Sequence, residues 1–158
     1  MEKLTHLDSQ NNPTMVDVSA KQVTHRTATA QSIVVLPDEV LQLLAGGELQ
    51  TKKGAVFQTA IIAGIMAAKK TGDLIPLCHP LGMDNCQVTI ELANHNEVVI
   101  QCTAGINAKT GIEMEALVGA SIAALTVYDM CKALSHDIVI KETKLIAKTG
   151  GKRDFKRS

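Results

Sequence analysis

A chain of 158 residues with 46% apolar content can bury one sizeable core, and aromatic content of only 2% makes that core aliphatic. So few aromatics argue against a base-stacking platform for single-stranded nucleic acid. Sixteen Lys plus Arg balance sixteen Asp plus Glu, so no global field draws in nucleic acid or an acidic membrane. The four cysteines, 78, 86, 102 and 131, show neither C-x-x-C nor zinc spacing, so no disulfide framework and no metal site are expected, and a reducing cytoplasm is the expected compartment. Met1-Glu2-Lys3-Leu4 opens no signal peptide, and the longest apolar helical run, Ala116 to Tyr128, falls short of the ~20 residues of a membrane span.

Residues 1–14 are polar and read as a flexible arm, residues 15–150 as one α+β domain, and residues 151–158 as a basic flexible tail. Met15-Val16-Asp17-Val18 alternates weakly and reads as an edge region; Ser32-Ile33-Val34-Val35-Leu36 is a β-branched run expected to form a strand. Pro37-Asp38-Glu39 opens a short helix with Val40, Leu41 and Leu44 on its apolar face, and Gly46-Gly47 is expected to end it. Gly54 to Lys70 repeats Val56, Ala60, Ala63, Gly64 and Ala67 at helical spacing, with Gly72 as the stop. Asn85 to Ala93 and Glu97 to Thr103 alternate with period two around Asn94-His95-Asn96, the pattern of a hairpin. Ile112 to Leu134 is the second long helix, acidic early at Glu113 and Glu115 and basic late at Lys132, as the helix dipole favours. Asp137 to Ala147 reads as the last strand.

This order is the β-α-β-β-α-β arrangement of a ferredoxin-like sandwich: an antiparallel sheet, two long helices on one face and a short extra helix. Small residues at Ala60, Gly64 and Ala68, and at Ala116, Ala120 and Ala124, are expected to let the two helices approach closely. Lys-Thr-Gly recurs at 70, 109 and 148, but different elements precede the copies, so the spacing reads as coincidence.

Gly72 to Leu81 is apolar, yet Pro76 and Pro80 bar regular structure. Such a loop is packed down, and His79 within it reads equally as a satisfied core residue or as a binding group. Asp129 and Lys132 share one helix face inside an apolar run. The residues alone favour an ordinary surface ion pair; an acid–base pair in a partly dry site is the other reading. Lys52-Lys53-Gly54 and Ala108-Lys109-Thr110-Gly111 put charge at helix N-termini, where phosphate binds, although neither has the order of a P-loop. For each of them a solvated charge is the commoner role. Lys53, His79, Lys132 and Lys148 together point to a polyanionic small molecule rather than a polymer.

Seven blocks carry a resemblance. They are Met15-Val16-Asp17-Val18-Ser19, Lys53-Gly54-x-Val56-Phe57, Ile62-Ala63-Gly64-Ile65, Leu74 to Leu81, Lys109-Thr110-Gly111-x-Glu113-Met114-Glu115-Ala116-Leu117, Tyr128-Asp129-Met130-Cys131-Lys132 and Lys148-x-Gly150-Gly151-Lys152. In this order the chain closely resembles the molybdenum cofactor biosynthesis protein C family, the cyclic pyranopterin monophosphate synthases. The pattern departs at Ile61, where an Arg is expected, and at Ala108, where a Gly is expected.

The resemblance implies a lyase that converts (8S)-3',8-cyclo-7,8-dihydroguanosine 5'-triphosphate to cyclic pyranopterin monophosphate with release of pyrophosphate. It implies Asp129 as the catalytic aspartate, with Lys53 and Lys132 as proton-transfer or charge-stabilising lysines. Leu77, Cys78, His79, Met114 and Glu115 are implied as substrate-binding residues, with Lys148, Asp17 and Arg26 beside them. It also implies a cytoplasmic homo-hexamer, a trimer of dimers with sites at subunit interfaces. No cofactor is implied, and the one metal the reading allows is a Mg²⁺ accompanying the substrate triphosphate. Glu115 and Asp129 lie fourteen residues apart on one helix, about 21 Å, so a compact site needs a long ligand or a second chain. The alternative is a ferredoxin-like regulatory module that binds a polyanionic ligand between subunits without chemistry.

Overall fold

The computed structural model describes residues 4–158. Its central sheet has the order β5-β6-β1-β7-β8, from Asn85–Ala93 (β5), Glu97–Ala108 (β6), Thr24–Val35 (β1), Val139–Thr149 (β7) and Phe155–Lys156 (β8). All neighbours pair antiparallel. The two long helices, Val56–Lys69 (α2) and Glu113–Cys131 (α4), pack on each other and on the sheet. This is the ferredoxin-like α+β arrangement expected from the order of elements. The core is aliphatic, with Val34, Leu36, Leu49, Val56, Val98, Ile100, Ile112 and Val127 fully buried. Away from the core, Thr29 meets Thr103 at 2.9 Å and Gln101 donates to Gln31 at 2.8 Å, a polar ladder across β1 and β6.

α4 is the one described helix long and apolar enough to cross a membrane by length and composition. Its apolar residues serve the core instead: Ala116, Ala120, Ala123, Ala124 and Val127 are fully buried.

Several boundaries differ from the sequence reading. β1 begins at Thr24 rather than Ser32, because its first half alternates small Ala28 and Ala30 inward with Thr27 and Thr29, a pattern without large apolar side chains. β6 likewise runs on to Ala108 and β7 to Thr149. Met15 to Val18 forms no strand. The short helix is Asp38–Leu41 (α1), and Gly46-Gly47 does not end it. Both glycines have positive φ, 59° and 78°, and form the turn between Leu44–Ala45 (β2) and Glu48–Thr51 (β3). Gly72 does not stop α2 either; the chain adds a short turn, Thr71–Leu74 (α3).

The helix contact is offset from the expected rows. A Cβ on Gly64 would lie 2.9 Å from the Gly119 carbonyl and 3.2 Å from Ala123 Cβ, so Gly119 and Ala123 form the α4 side of the crossing. At the other end of the chain, Gly150 has φ 88°, and a Cβ there would overlap the His25 carbonyl. Its amide donates to Asp154 Oδ1 at 3.1 Å, turning the chain so that β8 pairs with Ala147 and Lys148.

Candidate functional site

Two clusters of candidate residues stand at opposite ends of α4. At its C-terminal end, Asp129 Oδ1 takes the Lys132 ammonium at 3.0 Å and Oδ2 takes that of Lys53 at 3.2 Å. Lys132 arrives because it is one turn along the same helix. Lys53 arrives by another route. It sits in the turn between β3 and Gly54–Ala55 (β4), a hairpin closed by the Gln50–Ala55 and Thr51–Gly54 pairs. From there its ammonium also donates to the Asp129 carbonyl at 3.1 Å, a cation on the last turn of a helix. Hydrogen bonds from Lys132 and Lys53, with their charges, hold the Asp129 carboxyl below the usual range. The group is thus an ionised carboxylate between two cations, about half exposed, with one net positive charge facing solvent.

The hairpin that delivers Lys53 also occupies the start of α2. Glu48 Oε1 accepts from the Phe57 amide at 2.7 Å, and Oε2 from Gln58 at 3.1 Å. The α2 N-terminus is therefore already capped by a carboxylate, and the Lys53 ammonium turns to Asp129 instead.

At the N-terminal end of α4, Leu77, Cys78 and His79 from the proline loop meet Met114 and Glu115 around a cavity of about 310 Å³. Val16, Val18, Lys21, Thr110 and Glu113 complete much of the wall. His79 Nε2–H donates to the Val16 carbonyl at 2.6 Å, which fixes the ring and turns Nδ1 away from that contact. Glu115 is buried, 3% exposed, and burial pushes its carboxyl up, helped by the negative charge of Glu113. Burial also pushes the Cys78 thiol up, with the Glu115 charge adding to it. Lys148, on β7, reaches this end of α4 through Glu113, at 3.1 Å.

Arg26 and Asp17 play supporting parts in this geometry. Arg26 donates to the carbonyls of Ala108 and Lys109, at 3.2 and 3.3 Å, fixing the loop that leads into α4. Asp17 Oδ1 accepts from the Ser19 hydroxyl at 2.6 Å and its amide at 2.9 Å, which hold its carboxyl low, and Lys109 binds the Ser19 carbonyl at 3.2 Å. The structure thus joins Lys53, Asp129 and Lys132 in one group and Leu77, Cys78, His79, Met114 and Glu115 in another. Within one chain the two groups stay apart.

A model of the MoaC family matches residues 15–151, which span both groups. The chain belongs to the MoaC family. It is 56% identical over 153 residues to the cyclic pyranopterin monophosphate synthase of Xanthomonas campestris pv. campestris (strain B100), covering 97% of this chain and 93% of that protein. It is 52% identical over 158 residues to the molybdenum cofactor biosynthesis bifunctional protein of Synechocystis sp., covering 98% of this chain and 46% of that one. It is 50% identical over 156 residues to molybdenum cofactor biosynthesis protein 1 of Dictyostelium discoideum, covering 89% of this chain and 25% of that one.

With the family in view, three wall residues stand out that sequence reasoning left aside. Glu113 lay inside a matched block but was valued only for the helix dipole; its pairing with Lys148 gives it a place in the site. Thr110 stood in the same block. Lys21 had no local signal at all, because the segment around it is irregular and reaches the cavity only through the fold. Ile61, where the resemblance led to the expectation of an Arg, is packed against the core as a partly buried apolar side chain.

Proposed function

We propose that this chain is a cyclic pyranopterin monophosphate synthase. It is a lyase of molybdenum cofactor biosynthesis that rearranges a cyclised dihydro-GTP, releases pyrophosphate and closes a cyclic phosphate. The observation that carries this reading is Asp129, held ionised between Lys53 and Lys132, inside a chain whose 56% identical relatives bear that name.

Two carboxyl groups are pushed in opposite directions, which supports a division of labour. Asp129, held low, accepts a proton or steadies a cation; Lys53 and Lys132 stabilise negative charge as it develops and return protons. Glu115, pushed up by burial, is the better proton donor of the two. His79, held through Nε2 by the Val16 carbonyl, orients the substrate through Nδ1. Lys148 and the Arg26 guanidinium, at this end of α4, are the cations offered to the phosphates, with Leu77, Cys78 and Met114 as the apolar wall. Asp17 acts through Ser19 and Lys109, as a positioning residue. A Mg²⁺ fits this chemistry as a companion of the substrate triphosphate rather than as a resident ion. Such an ion would neutralise phosphate charge when bound.

The separation of Glu115 from Asp129, about 21 Å of helix, supports a site shared between subunits, as in the homo-hexamer, a trimer of dimers, that the resemblance implies. In that assembly one subunit's lysine–aspartate group completes another's cavity. Ile62 and Met66, one turn apart on α2 and more than half exposed, support a further surface for association. The enzyme is placed in the cytoplasm on this reading. Incubation with the cyclised dihydro-GTP is expected to release pyrophosphate stoichiometrically with pterin product. Tight binding without pyrophosphate would overturn it in favour of a regulatory ligand-binding module. A monomer by sedimentation at micromolar concentration would overturn the shared site.

A further inference from the structure

Cys78 lines the site, and the other three cysteines, Cys86, Cys102 and Cys131, are not equivalent. Cys86 lies on β5, the edge strand, and Cys102 on the neighbouring β6. The register pairs Cys86 with Ala104 and Val88 with Cys102, so the two cysteines are diagonal neighbours on one sheet face. Their sulfurs are 3.8 Å apart. Cys102 is fully buried, whereas Cys86 is only partly so. Cys86 opens into a cavity of about 460 Å³ between α2 and β5, walled by Ile65, Lys69, Met83 and Asp84 among others. None of these residues belongs to the two groups described above.

We propose that Cys86 and Cys102 are a redox-active dithiol, in which Cys86 takes up an oxidising equivalent from a hydroperoxide through this cavity and Cys102 resolves it as an intrachain disulfide. The two roles follow from position. Cys86 has an approach from solvent and a cation, Lys69, in the same cavity. The hydrogen bond with Cys102 lowers the Cys86 thiol against the upward push of burial, and the Lys69 charge lowers it further; the same contact and burial push Cys102 up. A reactive thiol beside a buried one is the arrangement of an attacking and a resolving cysteine.

The chemistry balances without another component. The Cys86 sulfur attacks the hydroperoxide, the O–O bond breaks, and the products are Cys86 sulfenic acid and an alcohol (water, for hydrogen peroxide). The Cys102 sulfur then attacks the Cys86 sulfur; the S–S bond forms and the sulfenic oxygen leaves as water with the Cys102 proton. Closing 3.8 Å to the about 2.0 Å of a disulfide needs a rotation at Cys86 and an approach of the edge strand β5 to β6, because diagonal neighbours stand about 7–8 Å apart, wider than a disulfide spans. Cys102 stays in place, because its sulfur fills the slot that a Cβ on Gly119 would occupy, 2.6 Å away.

Full-length protein is treated with hydrogen peroxide, unfolded, alkylated and digested for peptide mass. The expected result is loss of two alkylatable thiols per chain and one Cys86–Cys102 cross-linked peptide, reversed by dithiothreitol. Buried Cys131 is expected to stay alkylatable. In Cys86→Ser the cross-link is lost and Cys102 stays a free thiol. In Cys102→Ala the Cys86 sulfenic acid persists and is captured by dimedone. Should Cys102→Ala fail to fold, the wild type and Cys86→Ser decide the matter alone. Oxidation at Cys78 with Cys86 and Cys102 both left alkylatable would overturn the proposal, and so would a disulfide that links two chains.

Discussion

Lys53 and Asp129, 76 positions apart in sequence, meet through two contacts: the ammonium lies 3.2 Å from Oδ2 and 3.1 Å from the Asp129 carbonyl. The first contact holds a carboxylate ionised. The second ties a hairpin turn to the end of a helix. A two-residue turn on a small β-hairpin is therefore a structural part of the lysine–aspartate group.

Asp129→Asn keeps the shape of the side chain and removes its charge and basicity. Turnover is expected to fall about 10²–10⁴-fold, with substrate still bound. The carboxylate is exposed, so the melting temperature should barely move. Pyrophosphate release beside a thermal melt checks both, and near-normal turnover in a folded, oligomeric variant would sink the catalytic role.

Lys148→Ala removes the partner of Glu113 at 3.1 Å, where the two side chains are 34% and 29% exposed. Substrate affinity is expected to fall more than stability. Calorimetric titration and a melt separate the two effects; a steep drop in melting temperature with affinity intact would make Lys148 a structural residue.

Glu115 gives a pH signature of definite sign. Its carboxyl is raised in the folded chain above the ordinary 4.5, so between that value and the folded one the native state binds more protons than the unfolded state. Stability attributable to this group therefore falls as pH rises from 4.5 through the folded value. Glu115→Gln should match the wild type at acid pH and become relatively more stable above this window. Urea denaturation across pH would read it, and parallel profiles would contradict it.

Gly64→Ala tests the helix crossing. The added Cβ would meet the Gly119 carbonyl at 2.9 Å and both Ala123 Cβ and Val88 Cγ2 at 3.2 Å, with backbone on one side and small groups on the others. Overpacking of this kind costs about 1–3 kcal/mol. An unchanged denaturation midpoint would show that α2 and α4 separate freely.

Local patterns made much of this architecture legible. Period-two alternation marked β5 and the start of β6, and Asn94-His95-Asn96 marked their turn, where Asn94 and His95 do take positive φ of 49° and 75°. Helical spacing marked α2 and α4 to within a few residues. Gly46-Gly47 was ambiguous, because a glycine pair serves equally as a helix stop and as a hairpin turn. Only the pairing of Leu44 with Leu49 separates the two. β1 was half hidden, because Ala28 and Ala30 carry too little apolar surface to announce a buried face.

What the sequence by itself determined is the order of the long elements, the aliphatic core and the blocks that mark the MoaC family, since periodicity, turn chemistry and residue identity are local properties. What only the tertiary structure decided is which distant side chains meet. Glu48 takes the amides of Phe57 and Gln58, Lys53 takes Asp129, Gly64 lies on Gly119, and Cys86 faces Cys102. Each of these contacts depends on strand register and on the closeness of two backbones. Those are set by the sum of many weak packing terms, so no single stretch of residues encodes them.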